Sequence, residues 1–417
     1  MHRTAARKGL LRPLPPMDLP FLVLVLTLVG FGLVMLGSAS SAVALYRRND
    51  AFAYLRPQLL YAAMGIAGLW LASRVDYHIF HKLAWPLLGV SLVLLAVVLF
   101  MPEYNGCKRW LVLPGVGTLQ PSEIAKFAVV LVFSHIISLN HDRMRSFAVG
   151  VLPFVLVLGV VAALMLLEPH LSGTLLILGI GAVLMFVGGT GLRWFVLAGL
   201  GGAAAIGAAV VVMPDLVPYA ASRLSSWLDP FADPLGDGHQ TIQSLYAIGS
   251  GGAVGLGLGN SVEKQLWLPE STNDFIFSVV CEELGFIGAV LIIVLFILLI
   301  AQGLMIAYKA ENQFCTMVGI GIMAQIAWQV FCNIAVVTNT IPNTGISLPF
   351  FSSGGTSLIL LLAEMGVMVN IGRNGERAAQ QRAAAHAQRQ AAKAQRDAEL
   401  KDRTINLDDA RRARNEL

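Results

Sequence analysis

The stretch FIFSVVCEELGFIGAVLIIVLFILLIAQG, from Phe275 to Gly303, decides the fold, because it is almost entirely apolar and is longer than most helices of soluble domains. A helix needs roughly 20 apolar residues to cross about 30 Å of hydrocarbon. The rest of the chain follows the same pattern, with 56% hydrophobic residues, 13% charged residues and a mean hydropathy of +0.70. This composition excludes a soluble globular protein and predicts helices that cross a membrane.

Ten such apolar blocks can be read along the chain. They lie at about 18–39, 57–74, 78–101, 121–139, 147–167, 171–188, 193–213, 275–303, 314–337 and 348–371. The blocks are continuously apolar, whereas the strands of a membrane barrel would alternate between apolar and polar residues. We therefore predict an all-α polytopic membrane protein with about ten transmembrane helices.

The distribution of basic residues predicts the orientation. An even number of spans places the basic N-terminal arm, residues 1–17, and the basic tail, residues 373–417, on the same side. By the positive-inside tendency that side is the cytoplasm, although Arg47, Arg48 and Arg56 in the first outer loop run against it. Both termini are thus expected to be cytoplasmic. Residues 214–273 then form one large extracytoplasmic loop.

Several features of the chain argue against other classes of site. Cys107, Cys281, Cys315 and Cys332 lack metal-ligand spacing and are expected to be inert thiols. The tail, which could be a polar helix or disordered, has no basic and aromatic pattern of the kind that binds nucleic acid. The glycine-rich segment GSGGAVGLGLGN follows no strand, so nucleotide binding is not expected.

The large outer loop also contains TIQSLYAIGSGG, residues 241–252. Ile242, Leu245, Tyr246 and Ile248 would share one face of a helix here. We expect this helix to lie on the membrane surface.

Two other outer segments carry polar residues that have both a structural and a functional interpretation. Lys108 and Arg109 beside Trp110 are typical of an interfacial belt. Glu123 and Lys126 begin a span and form either a self-neutralising ion pair or part of a cavity.

The segment NTGISLPFFSSGGTSLILLLAEMG, Asn343 to Gly366, contains a polar run that starts at Ser352 and Ser353. Small residues at this density either let helices pack closely or permit a broken helix that exposes backbone groups to a ligand.

Four motifs in this order resemble the SEDS family (shape, elongation, division and sporulation), the group that contains RodA, FtsW and SpoVE. They are GCKRWL…LQPSEIAKFA, EPHLSGTLLI, WLPESTNDFIFSVVCEELGFIGA and PNTGISLPFFSSGGTS. The resemblance covers residues 18–372 as one transmembrane domain. The sequence LPESTNDFIFSVVCEELG and the long basic tail are more similar to the division and sporulation branch than to the elongation branch. His170 stands where many members carry an acid, so any role for a carboxylate there passes to Glu168 or is absent.

The resemblance implies a peptidoglycan glycosyltransferase that polymerises lipid II on the outer face of the cytoplasmic membrane. It implies a class B penicillin-binding transpeptidase as partner, with other division or elongation proteins. It also implies that Asp274, the acid of the xDFIF motif, is catalytic.

The chemistry of the reaction agrees with this assignment. A sugar hydroxyl attacks an anomeric carbon with inversion and expels a lipid diphosphate, which requires a general base such as Asp274. Positive charge must stabilise the leaving diphosphate, and the outer segments supply candidates for it: Lys108, Arg109, Lys126 and Arg223. A divalent cation could assist the diphosphate, but no metal-ligand cluster is evident in the sequence.

Some alternatives stay open at this point. Asp274 could simply be the N-cap of the following helix. Glu282 and Glu283, deeper in that helix, are expected to have a structural or cavity-lining role, for example by pairing with Lys126 or Arg223. A flippase for the lipid-linked precursor and a scaffold that recruits division proteins are the alternative functions.

Overall fold

A computed structural model describes residues 18–102, 108–113, 117–168, 170–212, 226–236 and 238–415. The predicted N-terminal arm, the predicted site residue Arg223 and Cys107 lie outside the described residues. Cys281, Cys315 and Cys332 are buried and free, as expected of inert thiols.

A helix occupies each of the ten predicted spans, so the all-α class is confirmed. The helices are α1 Leu19–Arg48, α2 Leu55–Ala72, α3 Tyr77–Val98, α4 Pro121–Asn140, α5 Phe147–Gly150, α6 Leu152–Leu167, α7 Leu171–Val187, α8 Leu192–Val212, α9 His239–Ser250, α10 Ile276–Tyr308, α11 Gln313–Val337 and α12 Gly355–Asn415. Short 3₁₀ helices lie at His141–Arg143 and Pro230–Ala232. A hairpin pairs β1, Leu111–Leu113, antiparallel with β2, Gly117–Leu119.

Seven helical segments of the described chain are long and apolar enough to cross a membrane. They comprise α1, α3, α4, α5 with α6, α10, α11 and α12. The other three predicted spans are filled by α2, α7 and α8. The last span begins at Gly355 rather than near residue 348, because Phe350 has a positive φ of 66° and the preceding segment is a loop.

The centre of the bundle is formed by α4, α11 and α12. In each of them 67% of the apolar window is buried, against 28% to 39% in the other long spans, whose outer sides are left for lipid. Helices α2 and α12 approach closely, since a Cβ on Gly65 would stand 2.5 Å from Leu362 Cδ1. Small residues at such crossings let helix backbones pack together in a membrane.

Helix α10 is broken near its start. Gly285 has a φ of 65°, a conformation that glycine adopts without steric cost. The glycine-rich outer segment packs against this break, and the N–H groups of Leu256 and Gly257 each donate to a carbonyl, of Glu282 and Glu283, at 3.0 Å. The tight turns of this segment therefore replace hydrogen bonds that the helix loses.

Helix α9 confirms the predicted helix in the outer loop, but its packing differs from the expected one. Its buried residues include Ile242, Ser244 and Ala247, whereas Tyr246 is exposed. The Ser244 hydroxyl donates to the carbonyl of Val337 at 2.7 Å. The helix is therefore docked on the ends of α10 and α11 and does not rest on lipid alone.

The tail continues α12 without interruption as far as Asn415. Of the two predicted states, the structure thus has the helical one.

Candidate active site

A cavity of about 310 Å³ opens where four helices begin. The N-terminal ends of α4, α7, α10 and α12 all contribute to its walls. Its lining residues are Arg109, Trp110, Gln120, Ser122, Glu123, Lys126, Met165, His170, Ser172, Gly173, Leu176, Glu270, Asn273, Asp274, Gln329, Gly345, Ile346, Ser347, Ser353, Gly354 and Ser357. Because helix N-termini carry partial positive charge, this arrangement favours an anionic ligand.

Asp274 lies at the wall of this cavity, just before α10. The residue that precedes the first helical residue is Phe275, and no side chain caps the helix. The position of Asp274 is instead fixed through its main chain, because Asn333 Nδ2 donates to its carbonyl oxygen at 2.6 Å. The N-cap alternative thus has no geometric support, and the carboxylate is available to the cavity.

The main chain at Gly345 lies directly against the Asp274 carboxylate. A Cβ on Gly345 would stand 3.4 Å from Asp274 Oδ2, and its φ of 64° is one that side chains rarely adopt. Asn333 Nδ2 also donates to the carbonyl of Ile346, at 2.8 Å. One amide from α11 therefore holds the two loop segments that border the carboxylate.

The acids of the site have perturbed protonation equilibria. Burial, together with the smaller effect of the nearby Glu270 carboxylate, raises the pKa of Asp274 to about 7. Burial also raises the pKa of Glu168 to about 8, although the positive charge of Arg109 opposes this. Asp274 is thus poised to exchange a proton near neutral pH, which is a property of general bases.

Lys126 lies on the first turns of α4 and is only 2% exposed. Its Nζ is 2.8 Å from Glu123 Oε1, and both side chains line the cavity. Both alternatives from the sequence are therefore correct, since Glu123 and Lys126 form an ion pair and also line the cavity. Glu123 orients an ammonium group that would be costly to bury alone.

Arg109 and His170 also line the cavity. Arg109 Nε donates to the carbonyl of Glu168 at 3.2 Å. Burial, together with the smaller effects of the positive charges of Arg109 and Lys126, lowers the pKa of His170 to about 3. His170 is therefore a neutral imidazole where many family members carry an acid, and its Nδ1 has no hydrogen-bond partner.

The two predicted serines differ in their contacts. Ser352 Oγ donates to the carbonyl of Asn273 at 2.6 Å and accepts from the N–H of Leu348 at 2.8 Å, so it fastens the loop beside Asp274. Ser353 lines the cavity, and its N–H donates to the carbonyl of Thr272 at 2.8 Å.

Other predicted site residues are placed differently. Lys108 is exposed and does not line the cavity. The expected pairing of Glu283 with Lys126 was wrong. Glu283 pairs instead with Lys264 in the outer loop, and its Oε1 lies 2.6 Å from the Nζ of that lysine. Glu282 accepts from the N–H of Val262 at 2.9 Å. Of the two expected roles, structural and cavity-lining, both acids have the structural one, because neither lines the cavity and their partners lie in the outer loop before α10.

The ion pair between Lys264 and Glu283 makes a prediction about stability. Both side chains are buried, and Ser38 Oγ donates to the same carboxylate at 2.7 Å. Lys264→Met leaves a buried charge unpaired and should lower the free energy of unfolding by about 3–5 kcal/mol. Thermal unfolding in detergent measures this.

Lys309→Met, at an exposed lysine, is the matched control and should unfold like the wild type. If Lys264→Met also unfolded like the wild type, the ion pair between Lys264 and Glu283 would not stabilise the fold. Adding Glu283→Gln to Lys264→Met should restore part of the loss.

A polar stripe on α11 was not predicted from the sequence. Gln325, Gln329 and Asn333 recur at every fourth residue, which places them on one face of the helix. Gln329 lines the cavity, Asn333 holds the Asp274 loop, and Gln325 donates to Glu364 Oε2 at 3.0 Å. Polar residues at this spacing inside an apolar span could have predicted that this face of α11 borders a cavity.

No group of three or more His, Cys, Asp or Glu side chains in the described part of the chain is arranged to hold a metal ion.

Comparison with known proteins agrees with this architecture. Residues 18–377 match the family model of the FtsW, RodA and SpoVE proteins, described as cell cycle proteins. The chain is 38% identical over 367 residues to the probable peptidoglycan glycosyltransferase FtsW of Geobacter sp. (strain M18), covering 87% of this chain and 98% of that protein. It is 39% identical over 365 residues to stage V sporulation protein E of Bacillus subtilis (strain 168), covering 85% and 97%.

A solved structure is similar over nearly the same length. It is described as showing the structural coordination of polymerization and crosslinking by a peptidoglycan synthase complex. Its TM-score is 0.72 at 32% identity, with coverage of 87% of this chain and 99% of that chain. The resemblance found from the four motifs is therefore confirmed.

Proposed function

Since the chain belongs to the FtsW, RodA and SpoVE family of cell cycle proteins, we propose that it polymerises lipid II into glycan strands, with Asp274 as the general base. The proposal rests on one observation. The Asp274 carboxylate, which caps no helix and has a pKa near 7, faces a cavity that is also lined by Lys126 and Arg109. A base and an anion site thus share a space large enough for part of a sugar diphosphate.

In the proposed reaction, Asp274 accepts the proton of a sugar hydroxyl on one lipid-linked unit. The hydroxyl oxygen forms a bond to the anomeric carbon of a second unit. The bond from that carbon to the diphosphate breaks on the opposite side, and the electron pair leaves with the lipid diphosphate. Because diphosphate is already a good leaving group, the second carboxylate that glycosidases use as an acid is not needed.

The leaving diphosphate is best placed between Lys126 and Arg109. Glu123 holds the Lys126 ammonium at 2.8 Å, so the charge is oriented before the substrate enters. The four helix N-termini around the cavity add partial positive charge. Neutral His170 can hydrogen-bond to a phosphate or hydroxyl without adding a charge.

A divalent cation that assists the departure of the diphosphate stays a proposal. We also propose that the cavity faces the outside of the cytoplasmic membrane, for septal or spore wall synthesis. A class B penicillin-binding transpeptidase is the proposed partner, because the structurally similar chain belongs to a peptidoglycan synthase complex.

Liposomes test this function against the flippase alternative. The purified chain would be reconstituted with lipid II labelled on its peptide. A polymerase converts lipid II in the accessible leaflet into long glycan strands, which gel electrophoresis resolves. Transfer of lipid II between leaflets without any polymer would instead support a flippase, and neither activity would support a scaffold.

The perturbed pKa of Asp274 predicts the pH dependence of the rate. Only the ionised carboxylate can accept a proton, so the polymerisation rate should rise with pH through about 7 and level off above it. On the acid side the rate should fall about tenfold per pH unit. Initial rates with saturating lipid II from about pH 5 to pH 9 measure this.

Glu168→Gln is the control, because the pKa of Glu168 is raised to about 8. The variant should keep the midpoint near 7. A midpoint near 8 in the wild type, with an inactive Glu168→Gln chain, would move the role of base to Glu168.

A further inference from the structure

A second cavity, of about 400 Å³, lies at the far end of the bundle from the candidate active site. Helix α12 borders both: Ser357 lines the first cavity and Arg373 lines the second. At 1.5 Å per residue the two side chains are about 24 Å apart along the helix, which is most of the thickness of a membrane. The second cavity thus opens at the face that we propose to be cytoplasmic.

The frame of this cavity is fixed by hydrogen bonds. Asn370 Nδ2 donates to the carbonyls of Ser73 and Val75, at 3.0 Å and 2.7 Å, and so ties the turn between α2 and α3 to α12. Asn374 Nδ2 donates in turn to Asn370 Oδ1 at 2.9 Å. The cavity is therefore a built feature between packed elements and not a gap beside a loose loop.

Three arginines line it, and their donors are only partly used. Arg373 Nη1 donates weakly to the Ser73 carbonyl, at 3.3 Å, while its Nε is buried and has no hydrogen-bond partner. Within the described part of the chain, Arg377, one turn further on, forms no hydrogen bond or ion pair. A buried donor without a partner is unfavourable, and an anion in the cavity would satisfy it.

The third arginine locates the cavity relative to the membrane. The guanidinium of Arg74 lies 4.1 Å from the centre of the Trp70 ring, and that indole is 52% exposed. Exposed tryptophans of membrane proteins concentrate at the level of the lipid headgroups. The cavity therefore opens beside the headgroup layer.

The acids of the cavity do not cancel this positive charge. Asp76 accepts hydrogen bonds from the N–H and the Nδ1 of His78, at 2.9 Å and 2.7 Å. Glu311 is the other acid in the lining. Three guanidinium groups thus face two carboxylates, which leaves an excess of positive charge.

We propose that this cavity binds the phosphate of an anionic phospholipid headgroup. Arg373 and Arg377 would donate to the phosphate oxygens, and the acyl chains would lie past Trp70. Basic pockets between transmembrane helices are known to suit such headgroups, and planar guanidinium groups match phosphate geometry. This site is separate from the candidate active site and does not depend on the glycosyltransferase proposal.

Lipid binding to the purified full chain tests this, measured by native mass spectrometry during titration with phosphatidylglycerol or phosphatidylcholine. The double variant Arg373→Gln/Arg377→Gln should weaken phosphatidylglycerol binding by at least about tenfold and leave phosphatidylcholine binding unchanged. The matched control, Arg143→Gln/Arg145→Gln, removes two exposed arginines of the same face outside the cavity. It should bind phosphatidylglycerol like the wild type.

Equal affinity of the double variant and the wild type would overturn the proposal. An equal loss in the control pair would also overturn it, since general surface charge would then explain binding. Inorganic phosphate is the third arm: if it bound to the wild type more tightly than phosphatidylglycerol did, the ligand would be a free phosphate and not a lipid. Should the double variant unfold, Arg377→Gln alone, at a partly exposed position, replaces it.

Discussion

Lys126→Met should abolish most glycan synthesis while the chain still folds. Lys126 is buried, lines the cavity and is held by Glu123 at 2.8 Å, so it delivers positive charge to the position proposed for the leaving diphosphate. Methionine keeps the aliphatic length of the side chain but removes the charge. Loss of one such oriented donor typically lowers a catalytic rate by about 10²–10³-fold. The initial rate of polymerisation from purified lipid II measures the loss.

Two further variants separate this role from that of a structural ion pair. Lys82→Met removes an exposed lysine from α3 and should be fully active. Glu123→Gln weakens the orientation of Lys126 but keeps its charge, so it should reduce the rate less than Lys126→Met does. If Lys126→Met were stably expressed and polymerised at the normal rate, the pair would be only structural.

Asp274→Asn should have the larger effect of the two. The amide keeps the size of the side chain but cannot accept the proton of the attacking hydroxyl, and loss of a general base typically lowers the rate by about 10²–10⁴-fold. No helix N–H depends on the carboxylate, so folding should not suffer. Thermal stability should equal or exceed that of the wild type, because a carboxylate whose burial is unfavourable is removed.

Asp229 provides a matched control in the same outer loop. Its carboxylate does cap a helix, since it accepts from the N–H of Phe231 at 3.2 Å. Asp229→Asn should therefore change stability slightly and leave the rate unchanged. If Asp229→Asn lost activity and Asp274→Asn kept it, the general base would be a residue other than Asp274.

The fold could be predicted from the sequence because the membrane constrains it directly. Each apolar block needs an internally hydrogen-bonded helix, so block lengths alone predict ten helices. The start of α12 was placed too early, because the residues from Leu348 to Phe351 are apolar but form a loop. Apolar composition indicates burial, and here the loop is buried by neighbouring helices.

The candidate site was only partly predictable. The resemblance identified Asp274, and charge near the outer ends of spans identified Lys126 and Arg109. The partner of Glu283 was missed, since a pair between Lys264 in the irregular outer loop and Glu283 in the following helix leaves no regular spacing. Gln329 and Asn333 did leave such a spacing, and polar residues at every fourth position of an apolar span would have predicted that α11 faces a cavity.

The central claim is that glycosyl transfer occurs in this cavity with Asp274 as the base. The most direct measurement compares bound lipid II and glycan length in the same liposomes, for the wild type and Asp274→Asn, each with the proposed transpeptidase partner. We predict equal lipid II binding by both chains, long glycan strands from the wild type and essentially none from the variant. Strands of equal length formed at equal rates would contradict the claim.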